Sequence, residues 1–144
     1  LNSLRAKFLN KLILFEAACC FFMTGLIWMV QLVHYPSFAY VDDQKFGAFH
    51  AFHSQAITWI VLPVMAAELA LAVLLVAKSP DLFWKFNLAG LVLIWLATAF
   101  LSVPIHNQLA AAPTQALAAR LVWTNWPRTV LWTVRSAAML WFMA

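Results

Sequence analysis

Two histidines three positions apart, His50 and His53 in the stretch FHAFHSQ (residues 49–55), can offer two imidazole nitrogens from one face of a helix. Helical bundles build metal sites from such pairs together with donors on facing helices. The chain has 4 histidines, and the other two, His34 and His106, also stand at edges of long apolar runs. If those edges meet, the set supplies three or four nitrogen donors. Such donors suit copper, iron, zinc or nickel.

The elements that must position these residues are unusually apolar. Of 144 residues, 65% are hydrophobic and 10% charged, and the mean hydropathy is +0.85. A soluble domain keeps roughly a quarter of its residues charged, so this composition calls for lipid as solvent. Four apolar stretches, at residues 12–33, 56–77, 86–105 and 127–144, each approach the ~20 residues that cross a hydrocarbon core. Backbone groups in lipid must bond internally, which makes the stretches helices. The expectation is an all-α fold: one membrane-embedded four-helix domain over residues 1–144. Its spans lie at about 12–33, 50–77 (the histidine segment opening the second), 86–105 and 127–144. The first apolar run exceeds the ~7–15 residues of a signal-peptide core, and no small-residue cleavage site follows it, so it reads as a span.

Arg5, Lys7, Lys11, Lys78 and Lys85 flank one side of these spans; Lys45, Arg120 and Arg128, offset by Asp42 and Asp43, lie on the other. The positive-inside rule then places both termini in the cytoplasm. The segments 36–45 and 107–123 face outward, into the periplasm if the membrane is a bacterial inner membrane. All four histidines fall on that outer rim. The net charge of +4 is scattered between spans, which reads as a topology signal and excludes a nucleic-acid surface. Cys19 and Cys20 are adjacent, without metal or redox spacing, and read as packed thiols.

Helical phase brings the polar groups together. Glu16, Thr24, Gln31 and His34 fall on one stripe of the first span; His50, His53 and Glu68 share a face of the second. Asn87, Thr98 and Ser102 lead towards His106 in the third. Polar stripes in lipid-embedded helices turn inward, so they should converge with the histidines at one end. Pro113-Thr114 reads as turn and N-cap of a short interfacial helix at about 114–123, and Asn125 as the cap of a new helix with Pro127 in its first turn. Arg128 then lies beside the histidines, and Arg135, two turns or about 10 Å deeper, needs an anion, with Glu68 and Glu16 available. Pro63 interrupts the second span. Trp28, Trp59, Trp123 and Trp126 suit one aromatic belt, and Trp84 and Trp141 the other.

The site expected from these residues has His34, His50, His53 and His106 as metal ligands, and Gln31 supporting them. Asp42 and Asp43 are solvating loop residues first and oxygen ligands or ring-orienting groups second. Arg128 and Asn125 would position an anionic or phenolic substrate. A zinc ion with an open position would mean hydrolysis, but the rim has few acid–base groups and no H-E-x-x-H. Copper or iron would mean redox chemistry on a hydrophobic substrate. One haem b, with Arg128 neutralising a propionate, is a further arrangement; histidines confined to one rim do not serve two stacked haems.

From the third span onward, VPIHNQLA and TNWPRTVLWTVRS resemble small four-span membrane proteins of the anthrone-oxygenase-like group, through Pro104, Asn107, Leu109, Asn125, Trp126 and Arg128. The resemblance covers the last third of the chain. It implies oxygenation of a polycyclic phenolic or quinone-like molecule within the membrane, and says nothing of the metal. Three functions follow as expectations. The first is a metal-dependent membrane oxidoreductase with a lipophilic substrate. The second is a haem b electron-transfer or quinone-handling bundle. The third is a non-enzymatic membrane subunit or small transporter built around Glu16, Glu68 and Arg135. The partners are the bilayer and the lipophilic molecule, with a homo-oligomer or larger membrane complex left open.

Overall fold

The computed structural model describes residues 2–144, with side chains from Ser3 onward. Helix α1 runs through Asn2–Met29 and continues as a wide π turn, Val30–His34, one α turn, Tyr35–Ser37, and a 3-10 turn, Phe38–Tyr40. Helix α2 is Asp43–Lys78 and starts at Asp42, whose carboxylate accepts the Gln44 amide at 2.9 Å. Helix α3 comprises Leu82–Ala97, a second π turn at Thr98–Ser102, and Val103–Ala111. Asp81 caps its start, accepting the Phe83 amide at 2.8 Å. Helix α4 is Gln115–Met143, capped by Thr114, which accepts the Leu117 amide at 3.2 Å.

No strand occurs among the described residues, and the chain is all-α. Three segments, Ser3–Tyr40, Asp43–Lys78 and Leu82–Ala111, are long and apolar enough to cross a membrane. Helix α4 has the length but turns a polar, buried face inward: Asn125, Arg128, Thr129, Arg135 and Ser136. Each helix packs against its sequence neighbours, and α4 closes the ring on α1. Leu12, Leu75, Trp84 and Met139 share one core cluster, so both ends of the chain lie beside the α2–α3 turn. The opposite end packs Tyr35, Phe38, Phe46, Ile105 and Leu121. Around the perimeter Phe52, Trp59, Phe100 and Trp141 are 70% exposed or more. An aqueous surface would not carry so much bare aromatic area; a lipid-facing one does.

Two boundaries differ from expectation. The interfacial helix at 114–123 and the span at 127–144 are one helix, so Thr114 is the cap and Asn125 is not. Pro127 removes one backbone donor without stopping the helix. Around it, Thr129 bonds the Asn125 carbonyl at 3.2 Å and Thr124 the Arg120 carbonyl at 2.9 Å. The expected outer segments 36–45 and 107–123 are largely helical as well, leaving short links at 41–42 and 112–114.

Candidate site: a histidine cluster above an apolar cavity

Up–down topology alone puts the end of α1, the start of α2, the end of α3 and the start of α4 at one pole of the bundle. The two π turns refine this. A π turn inserts an extra residue and re-aims the side chains beyond it, and such turns recur at functional sites. The α1 turn leads into His34 and Tyr35; the α3 turn stands one helical turn before His106. His50 and His53 come from α2, both buried.

The imidazoles meet in two pairs. His34 Nε2 lies 2.6 Å from His53 Nδ1, and His50 Nε2 lies 3.0 Å from His106 Nδ1. The pairs adjoin, with His53 and His106 ring centroids 5.7 Å apart. Among the described residues no three His, Cys, Asp or Glu side chains are grouped as ligands of one ion. The four expected residues therefore assemble, but as pairs and not around a single centre. Phe38 edges against His34, His50 and His53, at centroid distances of 5.3, 6.2 and 5.3 Å, and walls the cluster.

From His106 the polar contacts run inward. Its Nε2 is 3.1 Å from the Tyr35 hydroxyl, which lies 3.5 Å from Arg128 Nη2. Arg128 also donates to Asn125 and, at 3.4 Å, to Thr98. Asn125 donates to Gln31 Oε1 at 2.8 Å, and Gln31 donates to the Val122 carbonyl at 3.1 Å. Arg128, Asn125 and Gln31 are thus within the site, although Gln31 supports Asn125 and touches no histidine. Asp42 and Asp43 are exposed and outside it. Asp42 is occupied as the α2 cap, because the first helical amides lack intrahelical partners. Of the residues in the two C-terminal motifs, Trp126 packs edge-on against Trp28 at 5.9 Å, and Asn107 lies on the rim of a cavity beside His50.

Beneath the cluster lies a cavity of about 340 Å³ between the four helices. Its walls are apolar (Ile27, Ile57, Val61, Met65, Trp132), and its histidine end carries Tyr35, Thr98, Ser102, His106 and Arg128. Three polar atoms on its lining have no partner: Arg128 Nε, Ser102 Oγ and Trp95 Nε1. A second cavity of about 350 Å³, lined by His50, Ser54 and Asn107, shares Ile57, Thr58, Val103 and His106 with the first. His106 stands between them. Ser102 lies on the polar stripe expected to lead to His106, whereas sequence reasoning placed neither Tyr35 nor Trp95 at the site. Tyr35 had a signal, its place directly after His34, but its direction depends on the π turn.

These features define the class: a helical membrane-protein bundle with a lipid-facing perimeter and a polar site at one pole. No protein-family model matches the chain, and no curated protein or solved structure matches it either.

Proposed function

We propose that the protein binds a lipophilic, quinone- or phenol-like molecule in the cavity and acts on it as a membrane oxidoreductase. The observation that carries this reading is the trio of partnerless polar atoms, Arg128 Nε, Ser102 Oγ and Trp95 Nε1, on an otherwise apolar lining. Buried polar groups in lipid are costly unless bonded, and a small oxygen-bearing head on an apolar ring system would bond them. Arg128 keeps its charge and favours a phenolate or a reduced quinone oxygen. The Tyr35–His106–His50 contacts form a route by which a proton on that oxygen can reach the second cavity. An oxygenase of the anthrone-oxygenase-like kind is one member of this class.

A histidine-held metal, copper or iron with zinc as the non-redox option, is a second reading. It is favoured by four imidazoles from three helices meeting at one pole, although their nitrogen–nitrogen contacts of 2.6 and 3.0 Å are hydrogen-bond spacings that an ion would have to open. Such a metal would supply one-electron chemistry beside the cavity. The contacts leave no slot for a porphyrin between the rings of either pair, which disfavours haem b with a pair as its two axial ligands. The ligand reading is tested by titrating detergent-purified protein with a short-chain quinone and following tryptophan fluorescence. Saturable quenching that Arg128→Gln weakens at least tenfold is expected; quenching that never saturates in the parent protein would sink it. Element-resolved metal content of tag-free protein tests the metal.

A further inference from the structure

At the opposite end, each helix contributes one polar group to a second buried cluster: Glu16 from α1, Glu68 from α2, Asn87 from α3 and Arg135 from α4. Arg135 Nη2 donates to Glu16 Oε1 at 3.0 Å and to Asn87 Oδ1 at 2.8 Å, while Nη1 pairs with Glu68 Oε1. Glu68 Oε2 accepts from Trp132 Nε1 at 3.4 Å, so both oxygens of Glu68 are engaged. Glu16 is fully buried, and its Oε2 has no partner. Cys20, one turn from Glu16, is committed to Ser136 at 3.4 Å.

Two carboxylates against one guanidinium leave one negative charge uncompensated inside the bundle. Carboxylates sharing a buried site do not both stay ionised. We propose that Glu16 is a proton-binding site: its Oε2 carries one exchangeable proton within the membrane span, and Glu68 alone is the counter-ion of Arg135. The site goes beyond the ligand reading and stands without it. Its other carboxylate bonds Trp132, which lines the cavity, so a change of charge in the occupant would be felt by the proton's neighbour across one side chain.

The test is infrared spectroscopy of the purified protein in H2O and D2O at neutral pH. A carboxylic-acid C=O band that shifts on deuteration is expected in the parent protein. It should vanish in Glu16→Gln. It should also vanish in Glu68→Gln, where a lone Glu16 beside Arg135 must ionise. Both variants keep the cluster neutral and should fold. Glu16→Gln should leave the unfolding temperature unchanged, because a neutral amide replaces a neutral acid, while Glu68→Gln lowers it. No acid band in the parent protein, a band that survives Glu16→Gln, or a Glu16→Gln protein less stable than Glu68→Gln would each overturn the assignment. Stability that instead rises with sodium, without an acid band, would overturn it in favour of a bound cation.

Discussion

The bundle has two buried polar clusters, and they solve the problem of polarity in lipid in opposite ways. Around Arg135, two carboxyl groups and an amide from the other three helices meet the guanidinium, and neither cavity at the histidine pole is lined by this arginine or its two acids. Around His106 and Arg128, imidazole rings pair with one another, and polar atoms on a sizeable cavity are left over. The first cluster closes Arg135 on two carboxyl groups and an amide, yet leaves Glu16 Oε2, Asn87 Nδ2 and Arg135 Nε without a partner. The second sets its partnerless atoms, Arg128 Nε, Ser102 Oγ and Trp95 Nε1, on the lining of a cavity of about 340 Å³. What separates the two is therefore space: only the histidine pole sets its partnerless polar atoms against one of the two cavities.

The widest separation between the two ends should come from removing both acids. The double substitution Glu16→Gln with Glu68→Gln leaves Arg135 buried without an anion and should cost about 3–5 kcal/mol, read as a lowered thermal midpoint in detergent. Arg128→Gln should cost far less stability, since the guanidinium there has no carboxylate to lose. Similar losses at both ends would erase the contrast.

Gly90 sharpens the comparison from the packing side. A Cβ there would meet Arg135 Cδ at 3.1 Å and Cγ at 3.3 Å. Gly90→Val should press Arg135 off its partners and cost roughly 1–3 kcal/mol, with quinone binding retained. At the histidine end, Tyr35→Phe removes the hydroxyl between His106 and Arg128. It should cost about 1 kcal/mol and slow proton exchange with the bound molecule, a loss read by stopped-flow pH indicators and absent from Gly90→Val. The smallest effect belongs to Asp42→Ala. Loss of the α2 cap should cost about 1 kcal/mol or less and leave metal content and quinone binding as they were; a fall in either would return Asp42 to the site.

Much of this is legible in one dimension. The apolar run lengths give the helices, and three- and four-residue spacing gives the inward faces of Glu16, Gln31, His50, His53 and Glu68. The partners of Arg135 can be named because a guanidinium keeps its charge and only two acids lie within the spans. The break at Asn125-Trp126-Pro127 misleads. Local capping preference favours a helix start there, but the helix runs through the proline, and Asn125 is held by Gln31 across the bundle. Tertiary context outweighs the local signal. Asp42 reads as a spare oxygen donor for the opposite reason: its cap is local, but the apolar pattern starts α2 one to two turns too late.

The sequence by itself determined that the chain is helical, that its outer surface belongs in lipid, and which side chains must turn away from that lipid. Those outcomes stem from hydropathy and a 3.6-residue period, both properties of short stretches. Tertiary structure alone decided that the imidazoles meet in pairs, that Tyr35 links His106 to Arg128, and that a cavity remains beneath them. Each depends on how far four helices approach and on two π turns that re-aim the residues beyond them. Distances between helices are set by packing across the whole bundle, and no single segment encodes them.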